Sequence, residues 1–151
     1  MTAAVRVLFL CSHNSARSQM AEGLLRAIAP PAVEVASAGT VARGVHPLAI
    51  RAMAEAGVDI SAQRSKTVDE LSGAFDVVVT VCDTACPIPP RHRLLLRWRF
   101  PDPSAAGGSE EERLEAFRRV RDGLDARVRA LARRLDRFVP DNAGGPTELP
   151  R

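Results

Sequence analysis

The apolar run Val5 to Leu10 passes straight into Cys11-Ser12-His13-Asn14-Ser15-Ala16-Arg17-Ser18, and no other stretch of the chain limits its possible folds as much. The run is broken only by Arg6 and reads as a strand buried on both faces, the kind found in parallel sheets. The stretch from Arg17 to Ile28 puts Met20, Leu24, Leu25 and Ile28 on one stripe and stops before Pro30-Pro31, which predicts a helix. A short loop joining a buried strand to a helix turns its backbone N–H groups toward a common point. The helix N-terminus adds partial positive charge there. Cys11 and Arg17 bracket five residues of such a loop and make it a cradle for a tetrahedral oxyanion. Arg17 supplies a planar fork for two anion oxygens, and the same field favours a nucleophilic thiolate at Cys11. Ser12, His13, Asn14, Ser15, Ala16 and Arg17 are the expected oxyanion-binding residues.

The remaining pattern alternates strands with helices. Val33 to Ala36 predicts a second strand closed by Ser37-Ala38-Gly39, and Pro47 opens a helix reaching Ala56 with Gly57 as its cap. Thr67-Val68-Asp69-Glu70 has capping-box spacing for a short helix. Phe75 to Val81 is β-branched and nearly uncharged, a third strand, and Leu94 to Trp98 a fourth. Ser109 to Glu112 is a second capping box, opening an amphipathic helix to about Phe138 with Leu114, Phe117, Val120, Leu124, Val128, Leu131 and Leu135 on its apolar face. The expected fold is three-layer α/β/α with a four-stranded parallel sheet. Residues 1–139 are expected to form one domain, and 140–151, rich in Gly and Pro, a flexible tail. Chemistry in such sheets gathers at the carboxyl ends of the strands. Cys11, Cys82 and Asp102 all fall at or just beyond those ends.

Several function classes are disfavoured. Net charge is only +3, the chain has no Tyr and one Trp, and nine of its 21 basic residues fall on a helix laced with acids. Nucleic-acid binding is therefore not expected. Three cysteines do not make a secreted disulfide framework, and the N-terminal run is too short for a signal core or a membrane span. The expected setting is a reduced cytoplasm with no membrane attachment. Cys82 and Cys86 have only Cys11 as a further sulfur and no paired histidines, so no metal site is expected.

From Val5 to Glu22 the chain resembles the low-molecular-weight tyrosine phosphatases, and among them the arsenate reductases of that fold. Val77-Val78-Val79-Thr80-Val81-Cys82-Asp83, Ala85-Cys86-Pro87 and Trp98-Arg99-Phe100-Pro101-Asp102-Pro103 match in the same order, and the resemblance covers about residues 4 to 138. It implies a catalytic set of Cys11, Arg17, Ser18, Cys82, Cys86 and Asp102. Cys11 is the nucleophile, the Ser18 hydroxyl supports its thiolate, and Asp102 protonates the departing oxygen. A Cys11–Cys82 disulfide then passes to Cys82–Cys86. The implied substrate is arsenate, with phosphate or sulfate as mimics. A thioredoxin-type dithiol resets a monomeric enzyme that needs no cofactor. Two alternatives share the cradle: a phosphatase using only Cys11, Arg17 and Asp102, and a reductase using Cys11 with mycothiol or glutathione.

The chain departs from that pattern in three places. Only three residues separate Cys82 from Cys86, where the better-known members have six, a shortening worth up to about 10 Å of extended reach. Ala16 stands where many relatives have a further cysteine. Asn14, Glu22 and Ser37 match residues that hold potassium in some relatives. Lys66 falls where an acidic ligand of that site would be, so its ammonium is expected to replace the ion.

Overall fold

The computed structural model describes residues 5–83 and 86–137 of the 151-residue chain. Its four strands, β1 (Val5–Cys11), β2 (Val33–Gly39), β3 (Phe75–Thr80) and β4 (His92–Arg97), run parallel in the order β2-β1-β3-β4. As the apolar run predicts, β1 is central, and all its residues but Arg6 are buried. Arg6 is accommodated because its guanidinium lies 4.2 Å from the centre of the Phe75 ring and donates to the Ser72 and Ala74 carbonyls.

Three helices accompany the sheet: α1 (Arg17–Ile28), α2 (Pro47–Glu55) and α3 (Glu110–Leu135). They share one face, where Val7, Phe9, Val77 and Val79 meet Met20, Leu25, Met53, Phe117 and Leu124 in the main core. The opposite face buries Leu8, Leu10, Phe75 and Val78 beneath Val68 and Leu71. The expected three layers are thus unequal. The second helical layer is the single 3-10 turn Val68–Glu70, held by the predicted capping box of Thr67 and Glu70.

Element boundaries moved where pairing outweighs local pattern. β2 continues past Ala36 to Gly39 because Ala36, Ser37, Ala38 and Gly39 pair with Leu8 to Cys11. β4 begins two residues early, at His92, opposite Phe75. The Ser109 capping box opens α3 as expected. Its far end at Leu135 precedes Phe138, which lies outside the described residues together with the expected tail. Among the described residues no helix is long and apolar enough to cross a membrane.

Candidate active site

Cys11 ends β1 directly opposite Gly39, and the loop that follows turns onto the first residue of α1 at Arg17. The turn requires Asn14 in the left-handed region at φ +46°, which asparagine tolerates better than most residues. Asn14 is fully buried and clamps the loop through its amide. Its Nδ2 donates to Ser18 Oγ and Ser37 Oγ, both at 2.9 Å, while its Oδ1 accepts from Gln19 Nε2 and from the Lys66 backbone N–H at 2.8 Å. Ser18 Oγ lies 2.7 Å from Cys11 Sγ. Because that oxygen already accepts from Asn14, its own proton is free to point at the sulfur and support a thiolate.

Gly39 is the other condition for this loop. A β-carbon there would stand 2.7 Å from Asn14 N and 2.8 Å from the Cys11 carbonyl oxygen, too close for any other residue without displacing backbone. Beyond it, Thr40 and Val41 donate to the Ser12 carbonyl, Arg43 to that of His13 and His46 to that of Ser15. The loop is fixed along its length.

Its concave side opens into a cavity of about 220 Å³ lined by Cys11, His13, Ser15, Ala16, Arg17, Arg43, His46, Asp102 and Ser104. Two guanidinium groups and two imidazoles face one carboxylate, a lining suited to a small oxyanion. Its only rings are the imidazoles. His46 caps α2, with Nδ1 accepting from the Leu48 N–H at 3.1 Å, so the neutral ring carries its proton on Nε2. Burial and then the nearby Arg113 charge hold its pKa below the usual histidine value, against an opposing pull from Asp102.

Asp102 stands over the cavity as the N-cap of a 3-10 turn, Pro103–Ala105. Its Oδ1 accepts from Ser104 N at 3.0 Å and Ser104 Oγ at 2.7 Å, and its Oδ2 lies 4.0 Å from the Arg17 guanidinium. Burial pushes this carboxyl up, but the Ser104 hydrogen bonds with the Arg17 and His13 charges outweigh it. The net pKa lies below the usual aspartate value. Asp102 is therefore ionised at neutral pH, and acting as an acid requires it to take up a proton as an anion's charge arrives beside it.

Arg17 is almost fully buried, and its Nη1 donates to Asp83 Oδ1 at 3.1 Å and to the Phe100 carbonyl at 3.0 Å. Phe100 is seated against Gly123 of α3, where a β-carbon would come within 2.8 Å of its ring. Behind the cradle, the Val81 N–H donates to the Leu10 carbonyl at 2.9 Å, and Cys82 Sγ lies 3.5 Å from the same oxygen. Cys82 is thus held beside the peptide that leads into Cys11. It is disulfide-bonded to Cys86 with a Cα–Cα separation of 5.8 Å, inside the normal range for such a bridge. The three-residue spacing can be closed.

Of the anticipated residues, Cys11, His13, Ser15, Ala16, Arg17 and Asp102 line the cavity, Asn14 and Ser18 are buried behind it, and Ser12, Cys82 and Cys86 are not part of its lining. The sequence reading missed the parts played by Asp83, Arg43, His46 and Gly39. His46-Pro47 at a helix start was a readable cap signal. The partnership of Asp83 with Arg17 spans 66 positions and left no local trace. The group Asn14, Ser37 and Glu22 also assembles, with Ser37 Oγ donating to Glu22 Oε1 at 2.5 Å. The Lys66 ammonium lies 4.0 Å from the same carboxylate oxygen and donates to the Arg64 carbonyl. The Lys66 side chain thus stands beside the carboxylate.

Comparison with known proteins agrees with this geometry. Residues 6–140 match the family described as low molecular weight phosphotyrosine protein phosphatase. An arsenate reductase of Halalkalibacterium halodurans is 45% identical over 130 residues, covering 83% of this chain and 94% of that protein. A solved structure described as an arsenate reductase in the phosphate binding state superposes with a TM-score of 0.76 at 34% identity, covering 89% of this chain and 98% of the other. A thioredoxin-dependent arsenate reductase of Corynebacterium glutamicum superposes with a TM-score of 0.64 at 33% identity, covering 87% and 62% respectively.

Proposed function

The chain belongs to the low molecular weight phosphotyrosine protein phosphatase family and sits among its arsenate reductases, and from that premise we propose that it reduces arsenate to arsenite through Cys11, Cys82 and Cys86. The observation that carries this reading is the disulfide between Cys82 and Cys86, with the Cys82 sulfur 3.5 Å from the carbonyl oxygen of the residue before Cys11. A hydrolytic phosphatase has no use for either sulfur. The small cationic cavity supports a tetrahedral inorganic anion as substrate.

Arsenate enters the loop and is held by its N–H groups and by Arg17. The Cys11 thiolate, supported by Ser18, forms a sulfur–arsenic bond while an oxygen leaves as water, protonated by Asp102. Cys82, as thiolate, attacks Cys11 Sγ. The sulfur–arsenic bond breaks, and its electron pair stays on arsenic, which departs as arsenite. Two thiols have lost two electrons and arsenic has gained them. Cys86 then attacks Cys82, releasing Cys11 as a thiolate and leaving the Cys82–Cys86 disulfide. A protein dithiol of the thioredoxin type reduces that disulfide and restores the cycle, a reading supported by the thioredoxin-dependent neighbour. The enzyme works as a monomer in the reducing cytoplasm, where its three thiols start each cycle reduced.

The test is a thiol count. Fully reduced protein mixed with excess arsenate and no reductant is expected to release one arsenite per chain while free thiols fall from three to one. Three thiols remaining, with hydrolysis of a phosphoester, would establish the phosphatase alternative instead.

A further inference from the structure

We propose that Asp83 is a redox-linked latch on Arg17: while Cys82 and Cys86 are joined, its carboxylate neutralises the anion-holding guanidinium and lowers the loop's affinity for an oxyanion, and reduction of the disulfide releases it. The inference rests on the proposed roles of the loop and the two sulfurs.

Three observations place the latch. First, Asp83 Oδ1 accepts from Arg17 Nη1 at 3.1 Å, and this is the nearer of two carboxylates on that guanidinium, the other being Asp102 at 4.0 Å. One positive group already answers two negative ones. An incoming dianion beside the Cys11 thiolate adds to that excess, and like charges gathered on one cation disfavour each other. Second, the Arg17 side chain is only 5% exposed while that of Asp83 is 41% exposed. The arginine cannot swing out to water, whereas the aspartate can, so the aspartate is the partner able to leave. Third, Asp83 follows Cys82 directly, and the residue before Cys82 is fixed by the hydrogen bond from the Val81 N–H to the Leu10 carbonyl. With Cys86 bonded to Cys82, residues 82 to 86 form a closed ring that restricts where residue 83 can stand. Opening the ring returns conformational freedom to that segment, and Asp83 gains an alternative in full solvation.

The opening step is balanced. A dithiol donates two electrons and two protons to the disulfide, giving two thiols and the oxidised dithiol. Linkage then runs both ways: if reduction strengthens oxyanion binding, oxyanion binding favours the reduced sulfurs by the same factor. The enzyme would accept substrate when its relay is ready to act and discharge anions when it is not.

The experiment measures inorganic phosphate binding by calorimetry to protein with Cys82–Cys86 oxidised and to fully reduced protein, in the wild type and in Asp83→Asn. The amide oxygen of asparagine can still accept from Nη1 but carries no charge. Oxidised wild type is expected to bind phosphate about fivefold more weakly than reduced wild type, a modest coupling. The oxidised variant should bind as tightly as reduced wild type. Redox titration of the wild type gives a second reading that needs no variant. Saturating phosphate should raise the disulfide's midpoint potential by about 20 mV, the same fivefold factor for two electrons. Equal phosphate affinity in the two redox states would overturn the latch. So would an Asp83→Asn variant that binds more weakly in both, because Asp83 would then be holding the guanidinium in place for the anion. None of these readings uses arsenate turnover, so failure of the latch and failure of the reductase assignment are separable.

Discussion

Arg17 shows how much of this site rests on a single side chain. Its guanidinium is buried, bonded through one nitrogen to Asp83 and to the Phe100 carbonyl, and lines the cavity. A lysine keeps the charge but cannot hold the two oxygens of an anion in a planar fork while also reaching the Phe100 carbonyl. Arg17→Lys is expected to lower kcat/KM for arsenate roughly ten- to hundredfold, the loss of about one charge-assisted hydrogen bond. Steady-state kinetics check this, with circular dichroism showing the fold intact. Ser18 acts by a similar economy of geometry. Its hydroxyl can serve the Cys11 sulfur because Asn14 already occupies its acceptor side.

Between elements, α2 and α3 share the apolar core and are tied at the surface by charge as well. Glu55, at the end of α2, pairs with Arg118 and Arg121 of α3, and Arg121 also donates to the Ala52 carbonyl at 2.7 Å. The hydrogen bond from Arg118 is the chief cause that holds the Glu55 carboxyl down to about 2, from a usual value of 4.5. A carboxyl depressed on folding stabilises the protein above its unfolded value, and that contribution disappears as pH falls through the folded one. Thermal unfolding followed between pH 6 and pH 2 should therefore show a decline across the window from 4.5 to about 2 that Glu55→Gln reduces. Identical acid profiles for variant and wild type would mean that solvent screens the pair completely. Because α2 carries His46 at its N-terminus, this junction also bears on the cavity wall.

Across the whole molecule, the relay proposed for the three sulfurs runs from buried to more exposed positions. Cys11 and Cys82 are buried, and Cys86 is half-buried. A Cys11–Cys82 disulfide would be shielded from a protein reductant, and transfer to Cys86 carries it outward to where a dithiol can attack. Cys86→Ser is accordingly expected to release one arsenite per chain in a first turnover and then stall under a thioredoxin system. Mass spectrometry should find the stalled protein as the Cys11–Cys82 disulfide. Sustained turnover by this variant would show that Cys86 is dispensable and would favour reduction by a small thiol.

Much of this molecule could be read from short stretches of chain. The apolar run Val5 to Leu10, the helix stripe after Arg17 and the capping boxes at Thr67 and Ser109 are local signals. Strand burial, helical period and cap chemistry act over a few residues, so the parallel fold and the Cys11–Arg17 cradle followed from them. Resemblance then supplied roles for Ser18, Cys82, Cys86 and Asp102. Folding added what depends on distant neighbours. It fixed the unequal layers and the extension of β2 to Gly39. It also revealed the need for glycine at residue 39 and the carboxylate of Asp83 on Arg17. Those properties arise where segments tens of residues apart come within a few ångströms, and close approach and charge pairing leave no mark on the residues beside them in the chain.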